Sequence, residues 1–283
     1  MKNTLFTKAI AVDMAHFFSE DDLHRNHSYI SALPVDTVKC SLKIKDDLTL
    51  AGLPYFVETF NFLGAELDYE AFSEFEGKTF SKQDNFVINF DLPFALALTG
   101  ERIALNLLQR SSSIATFAKK FSDLATPKGI KILDTRKTTP GLRGLEKYAT
   151  RLGGCFNHRM GQSDVWMVKD NHKSFFGGVK EAVDFFRNMN GFYTPIEVEI
   201  HDLAELQMAF DLGIKHLMLD NFSPEQIREA VKVKPAGVTY EASGGIKLET
   251  IESYLIEGLD AISIGSITYG APSVDLSLKY ERA

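Results

Sequence analysis

The chain has 283 residues, 45% of them hydrophobic and 24% charged, with a formal net charge of −7. That size and apolar content support one large domain or two ordinary ones without metal or disulfide staples. The acidic balance argues against a general nucleic-acid binder, which presents a basic face, but leaves room for a local cationic cluster that holds a small anion.

The front hundred residues are rich in Phe and acids and offer few short motifs. Residues 1–21 carry acids and a histidine where a secretory signal needs an apolar run. No stretch approaches the roughly 18 uninterrupted apolar residues of a membrane span. The two cysteines, Cys40 and Cys155, lie outside any CxxC pair. Zinc fingers and redox motifs are therefore not expected, and a reducing cytoplasm is the expected compartment. His16, His24 and His27 have no metal-ligand spacing with Cys40 and read as surface residues. The aromatic residues of this half read as core or subunit interface.

Residues 99–124 show aliphatic side chains at three- and four-residue spacing, which predicts a long helix with one buried stripe. From Lys131 onward, short β-branched runs alternate with helical segments. The runs are 130–134, 165–169, 196–200, 216–220, 238–241 and 261–265. Trp166 sits mid-run and is expected to pack. Between the runs, residues 142–152 form a helix stopped by Gly153, and Gly177-Gly178 starts another. Ser223 is an N-cap with Pro224 at the first helical position and Gln226 completing a capping box. Residues 247–257 are expected to form a helix ending at Gly258. Strands alternating with helices imply a parallel sheet, and six such units imply an α/β barrel short of the usual eight, hence incompletely closed.

Polar residues mark the C-terminal end of every predicted strand, the face where barrel enzymes place their sites. Asp134 precedes Arg136 and Lys137. Lys169 is followed by Asp170, Asn171 and His172. Glu197 and Glu199 are two apart and so share one face of their strand. Arg136, Lys137, His158, Arg159 and Lys169 form a cationic set suited to several carboxylates or phosphates. The alternative is a set of salt bridges to Glu197, Glu199 and Asp220. Glu199 and Asp220 could instead hold a hard cation such as Mg²⁺ with substrate phosphate. Ser243-Gly244-Gly245, before the expected helix, offers backbone N–H groups to a phosphate, and Gly265-Ser266 offers a second approach.

Taken together these runs resemble quinolinate phosphoribosyltransferases. Residues 134–143 (DTRKTTPGLR) match the family signature. So do Glu101-Arg102 through Asn106, Asn157-His158-Arg159, Lys169-Asp170-Asn171-His172, Glu197-Val198-Glu199, Leu219-Asp220-Asn221 and Glu241-Ala242-Ser243-Gly244-Gly245. The resemblance implies an N-terminal α/β sandwich-like domain over residues 1–105, with residues 270–283 packing on it, and an open six-unit α/β barrel over 106–269. It implies phosphoribosyl pyrophosphate and quinolinate as substrates, Mg²⁺ as the metal, no organic cofactor, and a homodimer or assembly of dimers. Arg102 would reach the neighbouring subunit's site. Arg102, Arg136, His158, Arg159 and Lys169 would surround the quinolinate carboxylates. Lys137, Glu199 and Asp220 would contact the phosphoribosyl substrate and its metal. Lys137, Lys169, Glu199 and Asp220 would be the catalytic set. Ser243, Gly244, Gly245 and Gly265 would cradle the 5-phosphate.

The sequence departs from the family pattern at several positions, among them the run Gly265-Ser266-Ile267-Thr268-Tyr269, where Gly-Ala-Leu-Thr-His is usual. Tyr269 stands where a histidine is usual, Ser113 and Cys155 replace glycines, and Gln162 replaces a leucine. Tyr269 can donate a hydrogen bond but carries no positive charge. Two rival readings exist. Lys169 could form a Schiff base, as in aldolases. The chain could also bind a phosphosugar without turnover, like the molybdenum-transport-associated relatives of this fold.

Overall fold

The computed structural model describes residues 5–282, except the side chains of residues 5–7 and 24. The surface reading of His24 lies outside what is described, as do residues 1–4 of the N-terminal run; His16 and His27 are exposed. Among the described residues no helix is long and apolar enough to cross a membrane.

The chain divides into two compact units. The first takes in the chain up to Phe117, the segment Gly144–Gly153 and the C-terminal segment from Ala271. Its main strand, β1 (Thr37–Ile44), alternates strictly, with Val38, Cys40, Leu42 and Ile44 buried and Thr37, Lys39 and Lys43 exposed. That period-two pattern is what a strand with one covered face requires. A short pair, β2 (Leu48–Thr49) and β3 (Thr79–Phe80), is antiparallel. β4 (Val87–Pro93) runs antiparallel to β1 on one side, and a C-terminal strand, residues Leu276–Arg282, does so on the other.

The buried face of this sheet meets helix Leu53–Phe62 in a core rich in phenylalanine. Phe56 packs edge-on against Phe60 and Phe90, with centroids 5.2 and 5.8 Å apart, the arrangement that aromatic quadrupoles favour. Many of the front half's aromatic residues thus belong to or pack against this core, whereas Tyr29 and Phe62 are exposed.

Helix Phe94–Ala125 is longer than the predicted 99–124 and carries the division between units to Phe117, rather than 105. Its three consecutive serines serve packing. Ser112 Oγ bonds the backbone of Ala51, accepting from its N–H at 3.1 Å and donating to its carbonyl at 3.2 Å. Ser113 Oγ donates to the Gln109 carbonyl and accepts from the Val274 amide. Ser113 therefore substitutes for glycine by tying down the returning C-terminal segment.

The second unit comprises Ala118–Arg143 and Gly154–Gly270. It contains six parallel strands: β5 (Lys131–Leu133), β6 (Trp166–Val168), β7 (Ile196–Ile200), β8 (His216–Asp220), β9 (Thr239–Ser243) and β10 (Ala261–Ser263). Their order is β5-β10-β9-β8-β7-β6, so β5 and β6 are edges and the barrel is open between them. The chain between these edges partly fills the gap: Phe156 forms a parallel bridge to Leu133, its N–H donating to the Ile132 carbonyl at 2.7 Å. Cys155 is buried and its thiol donates to the Ala118 carbonyl at 3.2 Å. Trp166 packs on Phe186, centroids 5.6 Å apart. Gln162 is exposed.

The helix starts are as read: Gly178 precedes Val179–Met189, and the Ser223–Gln226 capping box opens Pro224–Lys232. The expected helix over 247–257 is not present. Only Ile251–Tyr254 is helical, because Thr250 closes a turn on Lys247 and Leu255 leaves the helical region at ψ 67°.

Candidate active site

The strand order sets the site. The C-terminal ends of the parallel strands bring Thr135, Arg136, Lys137, Lys169, Glu199, Asp220, Ser243 and Ser263 around one cavity of about 420 Å³, with His158 and Arg159 in its wall. Lys169 Nζ lies 2.7 Å from Glu199 Oε1. Arg136 Nε is buried and makes no hydrogen bond among the described residues, so a donor stands unanswered in the wall. Arg159 donates from Nη1 to the Val165 carbonyl at 2.7 Å. Burial and the neighbouring Arg136 pull the Arg159 pKa down. Two guanidiniums that repel each other across a cavity favour an anionic ligand between them.

The loop 157–159 is held from several sides. Asp134, fully buried, accepts from Asn157 Nδ2 at 2.7 Å and from the His158 amide at 2.8 Å. His158 Nε2 lies 3.1 Å from Glu197 Oε2 and 3.5 Å from Glu241 Oε2. His158 Nδ1 accepts the Arg159 N–H at 2.7 Å. The neutral ring therefore carries its proton on Nε2, towards the carboxylates. Burial favours the neutral ring, but Glu197 and Glu241 outweigh it and raise its pKa. Burial, with Glu197 beside it, pushes the Glu241 carboxyl up as well. His158, Glu197 and Glu241 thus form one buried polar cluster.

The family-implied residues do not all converge. Arg102 belongs to the first unit, is largely exposed beside Glu101 at 3.8 Å, and does not line this cavity. Tyr269 is 65% exposed and does not line it either. Its ring lies near Gly265, where a Cβ would stand 3.1 Å from Tyr269 Cε1 and 2.9 Å from Lys137 Cδ. Gly265 thereby leaves room for the Lys137 side chain.

Gly244 has φ +102°, and a Cβ there would press on Asn221, whose backbone N would be 2.9 Å away. Gly245 also has a positive φ, +62°. This turn offers its amides without the helix expected behind them, since residues 247–250 form a turn.

Some lining residues were not singled out from the sequence. Met167 and Met218 line the cavity. Each lies two positions before a polar strand end, Lys169 and Asp220, so period-two alternation was the signal for them. His201, just after β7, sits against Asp170 and 3.9 Å from Asp220. Lys173 is buried and donates to the Glu199 carbonyl at 3.1 Å and to Glu205 at 2.8 Å.

Comparison with known proteins follows this geometry. The family described as quinolinate phosphoribosyl transferase, C-terminal domain, matches residues 114–279. A probable carboxylating nicotinate-nucleotide pyrophosphorylase from Bacillus subtilis (strain 168) is 37% identical over 263 residues, 93% of this chain and 90% of that protein. A carboxylating nicotinate-nucleotide pyrophosphorylase from Dictyostelium discoideum is 36% identical over 84% of this chain and 85% of its own. The crystal structure of NadC from Streptococcus pyogenes superposes with a TM-score of 0.85 at 33% identity, covering 100% of both chains. With its family domain matched and its length covered by these relatives, the chain belongs to the quinolinate phosphoribosyltransferase family of enzymes.

Proposed function

We propose that the protein transfers the phosphoribosyl group of phosphoribosyl pyrophosphate to quinolinate, with loss of carbon dioxide, giving nicotinate mononucleotide and pyrophosphate. The observation that carries this reading is the convergence of Arg136, Lys137, His158, Arg159 and Lys169 on one cavity that also holds Glu199 and Asp220. A diacid and a metal-bound polyphosphate call for such a mixed lining. Arg136 and Arg159 bind and orient the quinolinate carboxylates, with Lys169 beside them. Lys137, close to Gly265, meets the phosphoribosyl group. The turn at Ser243–Gly245 presents amides to its 5-phosphate, and Gly265, beside Tyr269, offers a second approach. Quinolinate nitrogen forms the new bond to the anomeric carbon as the bond to pyrophosphate breaks. The ring nitrogen then bears a positive charge, which stabilises the carbanion left when the adjacent carboxylate departs as carbon dioxide; a proton from solvent completes the product. Positioning and charge stabilisation are the protein's share of this chemistry.

Glu199 and Asp220 fit a hard divalent cation. Burial, and then the Glu199 charge, raise the Asp220 pKa, a penalty that a cation shared by the two carboxylates would offset. These two residues would hold Mg²⁺, which when bound neutralises leaving pyrophosphate charge. Arg102 completes a partner subunit's site in a dimer, a reading that its exposure and the family pattern support. The isolated, buried thiols of Cys40 and Cys155 support a cytoplasmic location.

The test is an assay of the purified protein with quinolinate, phosphoribosyl pyrophosphate and Mg²⁺. Carbon dioxide should appear one-for-one with pyrophosphate, and nicotinate should be a poor substitute. Pyrophosphate release without decarboxylation, or equal use of nicotinate, rejects the proposal.

A further inference from the structure

A second cavity of about 320 Å³ lies among residues at or near the starts of the strands, among them Lys131, Glu197, His216, Thr239 and Ala261. Barrels of this kind normally fill their interior with layers of branched side chains; here charged and polar side chains take part. His158 and Arg159 line both cavities, whereas Glu197 and Glu241 line only the lower one. The two residues that face the proposed carboxylate site therefore border the lower cavity as well.

A clamp of polar contacts holds them. Glu197 on β7 and Glu241 on β9 approach the same atom, His158 Nε2, at 3.1 and 3.5 Å. Both carboxylates are buried. The other ring nitrogen is bonded to the backbone N–H of Arg159, so the ring orientation and the start of Arg159 are fixed together. The same three side chains lie close enough to suggest a metal site, but the geometry is against it. Nδ1 is already an acceptor, so Nε2 carries the ring proton and has no lone pair for a cation.

We propose that Glu197 and Glu241 are positioning residues for quinolinate recognition, acting through His158 to hold Arg159 against the substrate carboxylates. The proposal rests on the reading of the upper cavity as the quinolinate site. It separates Glu197 from Glu199, two positions away, which faces the upper cavity and is assigned to the metal.

The experiment compares wild type with Glu197→Leu, Glu241→Leu, Glu197→Gln, His158→Leu and the double variant Glu197→Leu/His158→Leu. Quinolinate binding is measured by calorimetry, both KM values by steady-state kinetics, and folding by thermal unfolding. Each Leu variant should weaken quinolinate at least about tenfold in Kd and KM while the phosphoribosyl pyrophosphate KM stays within about twofold. Glu197→Gln keeps an acceptor for Nε2–H and should restore quinolinate binding to within about threefold of wild type. The double variant should lose no more than His158→Leu alone, since Glu197 acts through His158. If Glu197→Leu does not fold, Glu197→Asp makes the same test, keeping the charge while withdrawing it from Nε2. Additive losses, equal weakening of both substrates, or unchanged quinolinate affinity overturn the clamp while leaving the proposed reaction intact. A folded wild-type protein that binds no quinolinate overturns both.

Discussion

Lys169 Nζ sits 2.7 Å from Glu199 Oε1, linking the residue after β6 to the penultimate residue of β7 at the mouth of the upper cavity. The ammonium is partly exposed and paired with this carboxylate. In the proposed reaction, a diacid that took over part of that ammonium would free Glu199 to serve the metal.

The first prediction follows from this pair. Lys169→Ala should lower kcat/KM for quinolinate by about 10- to 150-fold, the worth of one charge-assisted hydrogen bond of roughly 1.5–3 kcal/mol. Steady-state kinetics with quinolinate varied provide the check. A rate within twofold of wild type would mean that Lys169 only balances Glu199. Covalent trapping of quinolinate on Lys169 by borohydride would instead revive the Schiff-base reading.

Asp220 gives the second. If Asp220 and Glu199 share a divalent cation, chelation should abolish activity and added Mg²⁺ should restore it. Asp220→Asn should raise the Mg²⁺ concentration for half-maximal activity about tenfold, equivalent to about 1.4 kcal/mol. Titration of activity against Mg²⁺ measures this directly. Full activity of wild type in excess chelator would remove the metal from the scheme.

The third concerns the glycine turn after β9. Gly244→Ala adds a Cβ both at φ +102° and against Asn221. It should destabilise the fold by roughly 1–3 kcal/mol and raise the KM of phosphoribosyl pyrophosphate more than that of quinolinate. Gly237→Ala is the control, since its φ is +77° but nothing lies within 4 Å of its Cβ position. Equal effects of the two substitutions on KM would show that backbone strain, not the cradle, is responsible.

Arg102 gives the fourth. Arg102→Ala and Lys169→Ala should each keep no more than about a tenth of wild-type activity alone. If Arg102 serves the partner's site, a mixed dimer has one site with both lesions and one with neither. Co-refolding equal amounts should then return roughly a quarter of wild-type activity, because about half the dimers are mixed. Mixed dimers, detected by differential tagging, that remain inactive would place Arg102 in its own subunit's site.

Much of the barrel could be read from the chain because its signals are local. Most strands of the second unit are short runs rich in apolar residues, β9 (Thr239–Ser243) being the exception, and the capping box at Ser223 is a four-residue motif. The segment 247–257 misled because Ile246, Ile251, Leu255 and Leu259 recur at spacings close to a helical stripe. A turn closed by Thr250 buries Ile246, Ile251 and Leu259 without a helix. In the site, charged strand ends marked the face, but depth did not show. Glu197 and Glu199 share a strand face, yet two residues of rise, about 6.6 Å, put them on different cavities. That Glu197 meets His158 depends on a loop crossing the open edge, which no local pattern encodes. The same holds for Ser113, whose partner Val274 lies 161 residues away.

The C-terminal strand has a consequence for synthesis. β1 is the central strand of its sheet, and one of its two neighbours, Leu276–Arg282, is translated long after the other two strands. From Ile44 to Leu276 the ribosome adds 232 residues (276 − 44), which at ~5–20 residues per second takes roughly 12–46 seconds. During that interval one edge of β1 offers unpaired amides and carbonyls to any strand that passes. The second unit, complete by Gly270, is free to fold first. Nascent-chain handling by chaperones should therefore focus on the N-terminal unit, and a stop codon just before residue 276 should yield an aggregating chain with an ordered barrel.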